Sequence, residues 1–339
     1  MKNTTENLTL EEKIYSYEEE NTVIGIGSCE PFYNIKEILE NTDIPFVEKD
    51  VLKRIDPKYS RETAKSIIAL GLSYNKKFVG QIDNKIRGKI SIGAMGTDYH
   101  ILVKEKLEKI KTELNLNGDI FVDTGYLVDR EVAKRCNIAR IGKSGLTINE
   151  KLGSIIFIGY LLVDEVLTPS PKLEEKDLCK DCNICIKCCP SGAILENNKF
   201  NYKVCISYLT QCKQLNTEQE KNMIKSQIYG CDICQLVCPY NKGKYYEEIY
   251  DLDTFYPDIE KLLFISNKEF NETYKKTASG WRGKKILQRN AIIGLANSTY
   301  KKESIALLEK VLKTDNREDI KEYANWAINK LNAKADIHK

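Results

Sequence analysis

The run CKDCNICIKCCP, residues 179–190, places Cys179, Cys182, Cys185 and Cys189 at C-x2-C-x2-C-x3-C spacing, with Pro190 directly after. That is the ligand run of bacterial ferredoxins, in which three thiolates on a tight loop face one four-iron cube and the fourth crosses to a second. A second cube needs more sulfur. Cys231, Cys234 and Cys238, followed by Pro239, supply three further thiolates, which leaves one position for either Cys205 or Cys212. The assignment adopted puts Cys179, Cys182, Cys185 and Cys238 on one cluster and Cys189, Cys205, Cys231 and Cys234 on the other. Cys188 and Cys212 are then spare. Paired C-x2-C knuckles also build zinc sites, but a triple repeat closed by Cys-Pro is not a zinc-ribbon pattern and no histidine lies in this segment.

Working outward, ten of the twelve cysteines fall between Cys179 and Cys238, with only Cys29 and Cys136 elsewhere. Sulfur is concentrated where ligands are needed, so metal chemistry rather than a disulfide framework explains it. The chain has 339 residues, 42% of them hydrophobic and 30% charged, and a formal net charge of +3. That excludes a wholly disordered or fibrous protein and confines any nucleic-acid site to a local patch. The longest uncharged apolar stretch, residues 152–163, is 12 residues long, well short of the roughly 20 that span a bilayer. The acidic N-terminal stretch lacks the apolar core of a secretory signal, so a cytoplasmic protein with no membrane contact is expected.

Upstream of the cysteines, VIGIG (23–27), SIIALGLSY (66–74), DIFVDTG (119–125) and SIIFIGYLLVD (154–164) read as strands by their β-branched and aromatic content. YHILVKEKLEKIKTEL (99–114) has the spacing of an amphipathic helix. An α/β domain over residues 1–170 follows. TPSPKLEE (168–175) reads as a linker to a ferredoxin-like two-cluster domain over 171–245. The acidic stretch 246–260 reads as a solvated connection to a helical segment within 246–339, where Ile320, Ala324, Ala327, Ile328 and Leu331 share one helix face. Paired helices there suggest a short solenoid of HEAT-like type.

Other signals are weaker alone. His100 and His338 are the only histidines, which leaves little material for histidine-based catalysis, and His100 reads as a helix-start residue. Asp123 ends a predicted strand, where open α/β sheets place ligands, although a turn or cap role is the plainer reading. Asp129-Arg130 reads as a surface ion pair. Between Lys275 and Arg289 lie six basic residues, including Arg282, Lys284 and Lys285, with Trp281 among them and no acid. Cations with an embedded ring suit RNA recognition; a solvated helix face with Trp281 as a packing anchor fits as well.

These pieces resemble one family, the cobalamin-dependent epoxyqueuosine reductases that act on tRNA. The resemblance is carried by RGKISIGAMGTDYH (87–100), FVDTGYLVDREVAKR (121–135), VCISYLTQ (204–211), YGCDICQLVCPYNKGK (229–244), SNKEF (266–270) and SGWRGKKILQRNAI (279–292). It implies a cobalamin-binding α/β domain, two [4Fe-4S] clusters and a tRNA-contacting helical tail. It implies Asp123 as the proton donor, kept in a poorly solvated pocket, and corrin contacts at Arg54, Ser91, Asp123, Thr147, Ile158, Leu161, Ser207 and Asp232. It implies tRNA contacts at Ser266, Asn267, Phe270, Trp281 and Lys284, to which the basic reading adds Arg282, Lys285 and Arg289. The partners implied are the anticodon stem-loop bearing epoxyqueuosine and a low-potential electron donor, with the enzyme a monomer. A plain electron carrier and a relative of the reductive dehalogenases share some of these parts, but not the basic segment around Trp281.

Overall fold

A computed structural model of the chain describes residues 8–42, 46–174, 176–196 and 199–333. His338 lies outside them. The four strands expected from sequence form one sheet: β1 (Thr22–Ser28), β2 (Ser66–Ser73), β3 (Gly118–Phe121) and β4 (Ile156–Val163), in the order β1-β2-β4-β3. All its pairings are antiparallel, with Ser28 opposite Ser66, Ser66 opposite Val163 and Gly118 opposite Val163. The rule that ligands sit at the carboxyl ends of parallel strands therefore says nothing about Asp123 here.

Both faces of the sheet are covered, which is why its strands are apolar throughout rather than alternating. Helix α1 (Tyr99–Glu113) starts at Asp98, whose carboxylate accepts from the His100 amide at 3.0 Å. It packs Val103, Leu107 and Ile110 with Leu161 and Val163. On the opposite face, α2 (Asp129–Arg135) packs Val132 and Ala133 with Tyr160 and Leu162. The period of two along β4 sends odd and even residues to different cores. Gly25 permits the close approach of α2, because a Cβ there would lie 2.1 Å from the Cys136 carbonyl oxygen.

The C-terminal helices are α3 (Lys284–Ala296), α4 (Lys301–Thr314) and α5 (Glu318–Ala333). α3 is enclosed from Ile286 onward. Its Leu287, Ala291 and Leu295 join Leu308 of α4, Ile320, Ala324 and Ala327 of α5, and Ile90, Ile92 and Ile155 from the N-terminal half in one apolar core.

Residues 246–260 are not the solvated connection that their acidity suggested. Glu247–Ile249 pairs in parallel with Lys76–Phe78, and Phe255 is buried against Phe78. The carboxylates are used: Asp253 accepts from Arg87, and buried Asp258 pairs with Lys85 at 3.1 Å. Among the described residues, no helix is long and apolar enough to cross a membrane.

Candidate cluster and cofactor site

The cysteine segment folds into short turns, and the chain reversals bring distant thiols together. The Cys182 amide donates to the Cys179 carbonyl at 2.7 Å, and the Cys189 amide to the Cys185 carbonyl at 3.1 Å, curling the loop around its own sulfurs. Cys185 has Cys179, Cys182 and Cys238 as electrostatic neighbours, whereas Cys231 and Cys234 both have Cys189 and Cys205. Cys185 is also a neighbour of Cys234, so the two sets adjoin. Among the described residues no three Cys, His, Asp or Glu side chains converge as ligands of a single ion; a four-iron cube instead distributes its thiolates over four corners. Burial pushes the Cys231 thiol up to about 11 and the Cys234 thiol to about 12. Ionising them therefore requires the positive charge of a bound metal, which deprotonates a coordinated thiol outright.

The remaining cysteines are placed differently. Cys188 is exposed. The Cys212 thiol donates to the Tyr208 carbonyl at 3.4 Å, while Cys29 and Cys136 are buried in the core under α2.

The second thiol set opens into a cleft of about 350 Å³, at the lower end of ligand sites. Cys189, Cys205, Cys231 and Cys234 are in its lining. Tyr74, Tyr99 and Phe157 line it as well, with Tyr74 and Tyr99 stacked on Phe157 at centroid distances of 3.8 and 4.1 Å. Ser91, Ser207 and Asp232 also line the cleft. The Ser91 hydroxyl donates to Asp232 Oδ1 at 2.5 Å and the Ile92 amide to Oδ2 at 2.8 Å. Burial raises the Asp232 carboxyl, and these two donors offset part of that. Gly230, at φ 69°, lets the Cys231 turn press against Ser91, where an added Cβ would come within 2.5 Å of the serine Cβ. Stacked rings and a four-thiol set line the same cleft, so a redox cofactor bound there would adjoin a cluster.

Five of the expected cofactor contacts, Asp123 among them, lie away from this lining. Leu161 is fully buried on the α1 side of the sheet and Ile158 is buried on the α2 side, so one ligand cannot touch both side chains. Phe157, which the sequence reading did not single out, lines the cleft instead. Thr147 is buried in a two-stranded pair. Arg54 is buried, its basicity reduced by desolvation and by nearby Arg130.

Asp123 follows β3 in the left-handed region, at φ 53°, an arrangement a non-glycine residue seldom adopts and one that concentrates at functional sites. Its side chain is exposed, not enclosed in a poorly solvated pocket, because the turn lifts it off the sheet. The hydroxyl of Tyr99, a cleft residue, donates to Asp123 Oδ2 at 2.7 Å. Asp129 forms no ion pair with Arg130, which instead donates to the Gly145 carbonyl at 3.2 Å. Desolvation and the adjacent Asp123 push the Asp129 carboxyl up to about 8.

The expected RNA contacts divide. Trp281 is exposed, and its indole N–H donates to Gln211 Oε1 at 3.1 Å. Arg282 donates to the Gln211 carbonyl at 2.8 Å and Lys284 to the Ile265 carbonyl at 3.3 Å. Ser266 caps the helix Asn267–Thr273 by accepting from Glu269 N at 3.1 Å, and Asn267 is exposed. Lys285 is paired with Asp319. Phe270 is buried and stacked on Tyr274, so it anchors its helix rather than meeting RNA. Arg289 is 2% exposed, with its guanidinium donating to the carbonyls of Leu209, Thr210 and Cys212 and to Asn290. It is an internal clamp.

A two-cluster iron–sulfur oxidoreductase is the class that this site defines, and residues 178–241 match a family model described as a 4Fe-4S double cluster binding domain. Residues 54–129 match the model described as epoxyqueuosine reductase QueG, DUF1730. The chain is 37% identical to the epoxyqueuosine reductase of Staphylococcus aureus over 91% of its own length and 84% of that protein. It is likewise 37% identical to that of Listeria monocytogenes, over 94% and 87%. A crystal structure of an epoxyqueuosine reductase with an epoxyqueuosine-modified tRNA-Tyr stem loop superposes with a TM-score of 0.87 at 32% identity, covering 95% of this chain and 89% of that one. The Streptococcus thermophilus enzyme gives 0.86 at 34%, covering 94% and 89%. The chain belongs to the epoxyqueuosine reductase family.

Proposed function

We propose that this chain reduces the epoxide of epoxyqueuosine in a tRNA anticodon loop to the alkene of queuosine. The observation that carries the reading is one cleft joining a four-thiol set, an aromatic wall and, through Tyr99, the Asp123 carboxyl. Ser91, Ser207 and Asp232, with Tyr74 and Phe157, would hold cobalamin there, and the eight cysteines in their two sets would hold two [4Fe-4S] clusters. Bound cobalamin supplies a strongly reducing cobalt, fed by single electrons through the clusters.

The reaction takes up two electrons and two protons, breaks the epoxide C–O bonds, and releases the oxygen as water. Asp123 delivers a proton to the epoxide oxygen, since expelling an unprotonated alkoxide is costly. Tyr99 fixes the carboxyl through the 2.7 Å hydrogen bond. Exposed Trp281 and the basic side chains beside it would bind the RNA loop, and the C-terminal helices, read as HEAT-like, would carry them. In this reading residues 1–170 hold the cobalamin, 171–245 the clusters and 246–339 the tRNA.

The test is anaerobic incubation of the reconstituted protein with cobalamin, a strong reductant and epoxyqueuosine tRNA, followed by nucleoside mass spectrometry. Appearance of queuosine is expected; unchanged epoxyqueuosine overturns the reading.

A further inference from the structure

Phe46 belongs to none of the apolar cores and is 57% exposed. Its backbone sits at φ 69°, which for a bulky side chain is a genuine outlier. Neither the exposure nor the backbone cost is offset by interior packing. Its ring instead meets two others, with centroids 6.0 Å from Tyr208 and 6.0 Å from Trp281, edge-on to the indole. The Arg282 guanidinium lies 4.9 Å from the Phe46 centroid and 4.6 Å from that of Trp281. Among the described residues, Arg282 Nη2 is buried and finds no hydrogen-bond partner. A charged donor left unmade is expensive, so one guanidinium nitrogen here goes without an acceptor even though Nε donates to the Gln211 carbonyl.

The position of this patch is fixed. Gln211 accepts from Trp281, Arg282 and Tyr229, and Tyr229 lines the cleft. An aromatic platform carrying a cation with one unmet donor is therefore tied through Gln211 to Tyr229, a residue of the cleft lining. An apolar peptide would cover the rings and leave the guanidinium unanswered. A nucleobase offers a π-face and carbonyl or ring-nitrogen acceptors together.

We propose that Phe46 is an RNA-binding residue: its free face stacks an unpaired base flanking the nucleoside that enters the cleft, while Arg282 donates to an acceptor of that base. This deepens the proposed function and rests on it. The test is fluorescence anisotropy with a labelled anticodon stem-loop, using wild type, Phe46→Leu and Phe46→Tyr, with cluster absorbance as the check on folding. Phe46→Leu should bind about five- to tenfold more weakly, from the loss of stacking, and Phe46→Tyr should bind as wild type does. Equal affinity of wild type and Phe46→Leu overturns the inference while leaving the proposed function standing. A wild-type protein that does not bind the stem-loop overturns both. Recovery of affinity by leucine but not tyrosine would show apolar packing in place of stacking, and also sinks it.

Discussion

The hydroxyl of Tyr99 and the carboxylate of Asp123 are joined by a 2.7 Å hydrogen bond across 24 residues of chain, linking the aromatic wall of the cleft to a backbone turn held in the left-handed region. A phenol donating to a carboxylate contributes about 1.5–3 kcal/mol, enough to bias where a mobile acid points. Tyr99→Phe keeps the stacking on Phe157 and removes only this bond. Turnover is expected to fall about tenfold or more, whereas Asp123→Asn should abolish it; single-turnover conversion of epoxyqueuosine tRNA distinguishes the two, and undiminished turnover in Tyr99→Phe removes the bond from the mechanism.

Asp129 gives a pH prediction. Desolvation and the adjacent Asp123 push its carboxyl in the fold up to about 8, well above the ordinary carboxylate range. A raised carboxyl stabilises the fold fully below its unfolded value, and that contribution disappears as pH climbs through the folded one. Between about pH 4 and 8 the wild type should lose stability relative to Asp129→Asn, which has nothing to ionise there. Urea midpoints across that range check this, and parallel curves for the two proteins would rule it out.

Cys205 and Cys212 separate by iron content. Cys205 shares its surroundings with Cys189, Cys231 and Cys234, whereas Cys212 turns to a backbone carbonyl. After anaerobic reconstitution, Cys205→Ser should carry roughly half the iron of wild type and Cys212→Ser the full amount. The reverse result would reassign the eighth ligand.

Arg289 and Trp281 should fail in different assays. Arg289→Ala leaves several buried carbonyls without a donor and should cost about 3 kcal/mol or more of folding free energy, read in chemical denaturation. Trp281→Ala should leave the denaturation midpoint nearly unmoved and weaken stem-loop binding by roughly 1–3 kcal/mol. A destabilised Trp281→Ala with unchanged RNA affinity would make the indole a packing anchor.

The contrast between those two residues shows what the sequence could tell. Both sit in one basic run, and local composition does not say that Arg289 faces inward along α3 while Trp281 precedes the helix and stays in water. The four strands, α1 and the double-cluster segment were legible because each depends on short-range pattern: β-branched runs, helical periodicity, ligand spacing. Ile158 and Leu161 fall in different cores for a reason of parity, since one residue along β4 exchanges one core for the other. The acidic stretch 246–260 misled because two of the cations that hold it in place, Arg87 and Lys85, lie more than 160 positions upstream, beyond any local window. Tyr99 and Phe157 were read only as parts of a helix and a strand; the wall they build exists once the sheet has brought them together.

The parallel pairing of Lys76–Phe78 with Glu247–Ile249 has a bearing on how the molecule is made. A nascent chain emerging from the ribosome presents every cysteine before either the late partner strand or the helix Lys284–Ala296 has been synthesised. During that interval the sulfurs are open to iron donors and to oxidants alike, and assembly becomes a race between the two. The last helices to be translated close it.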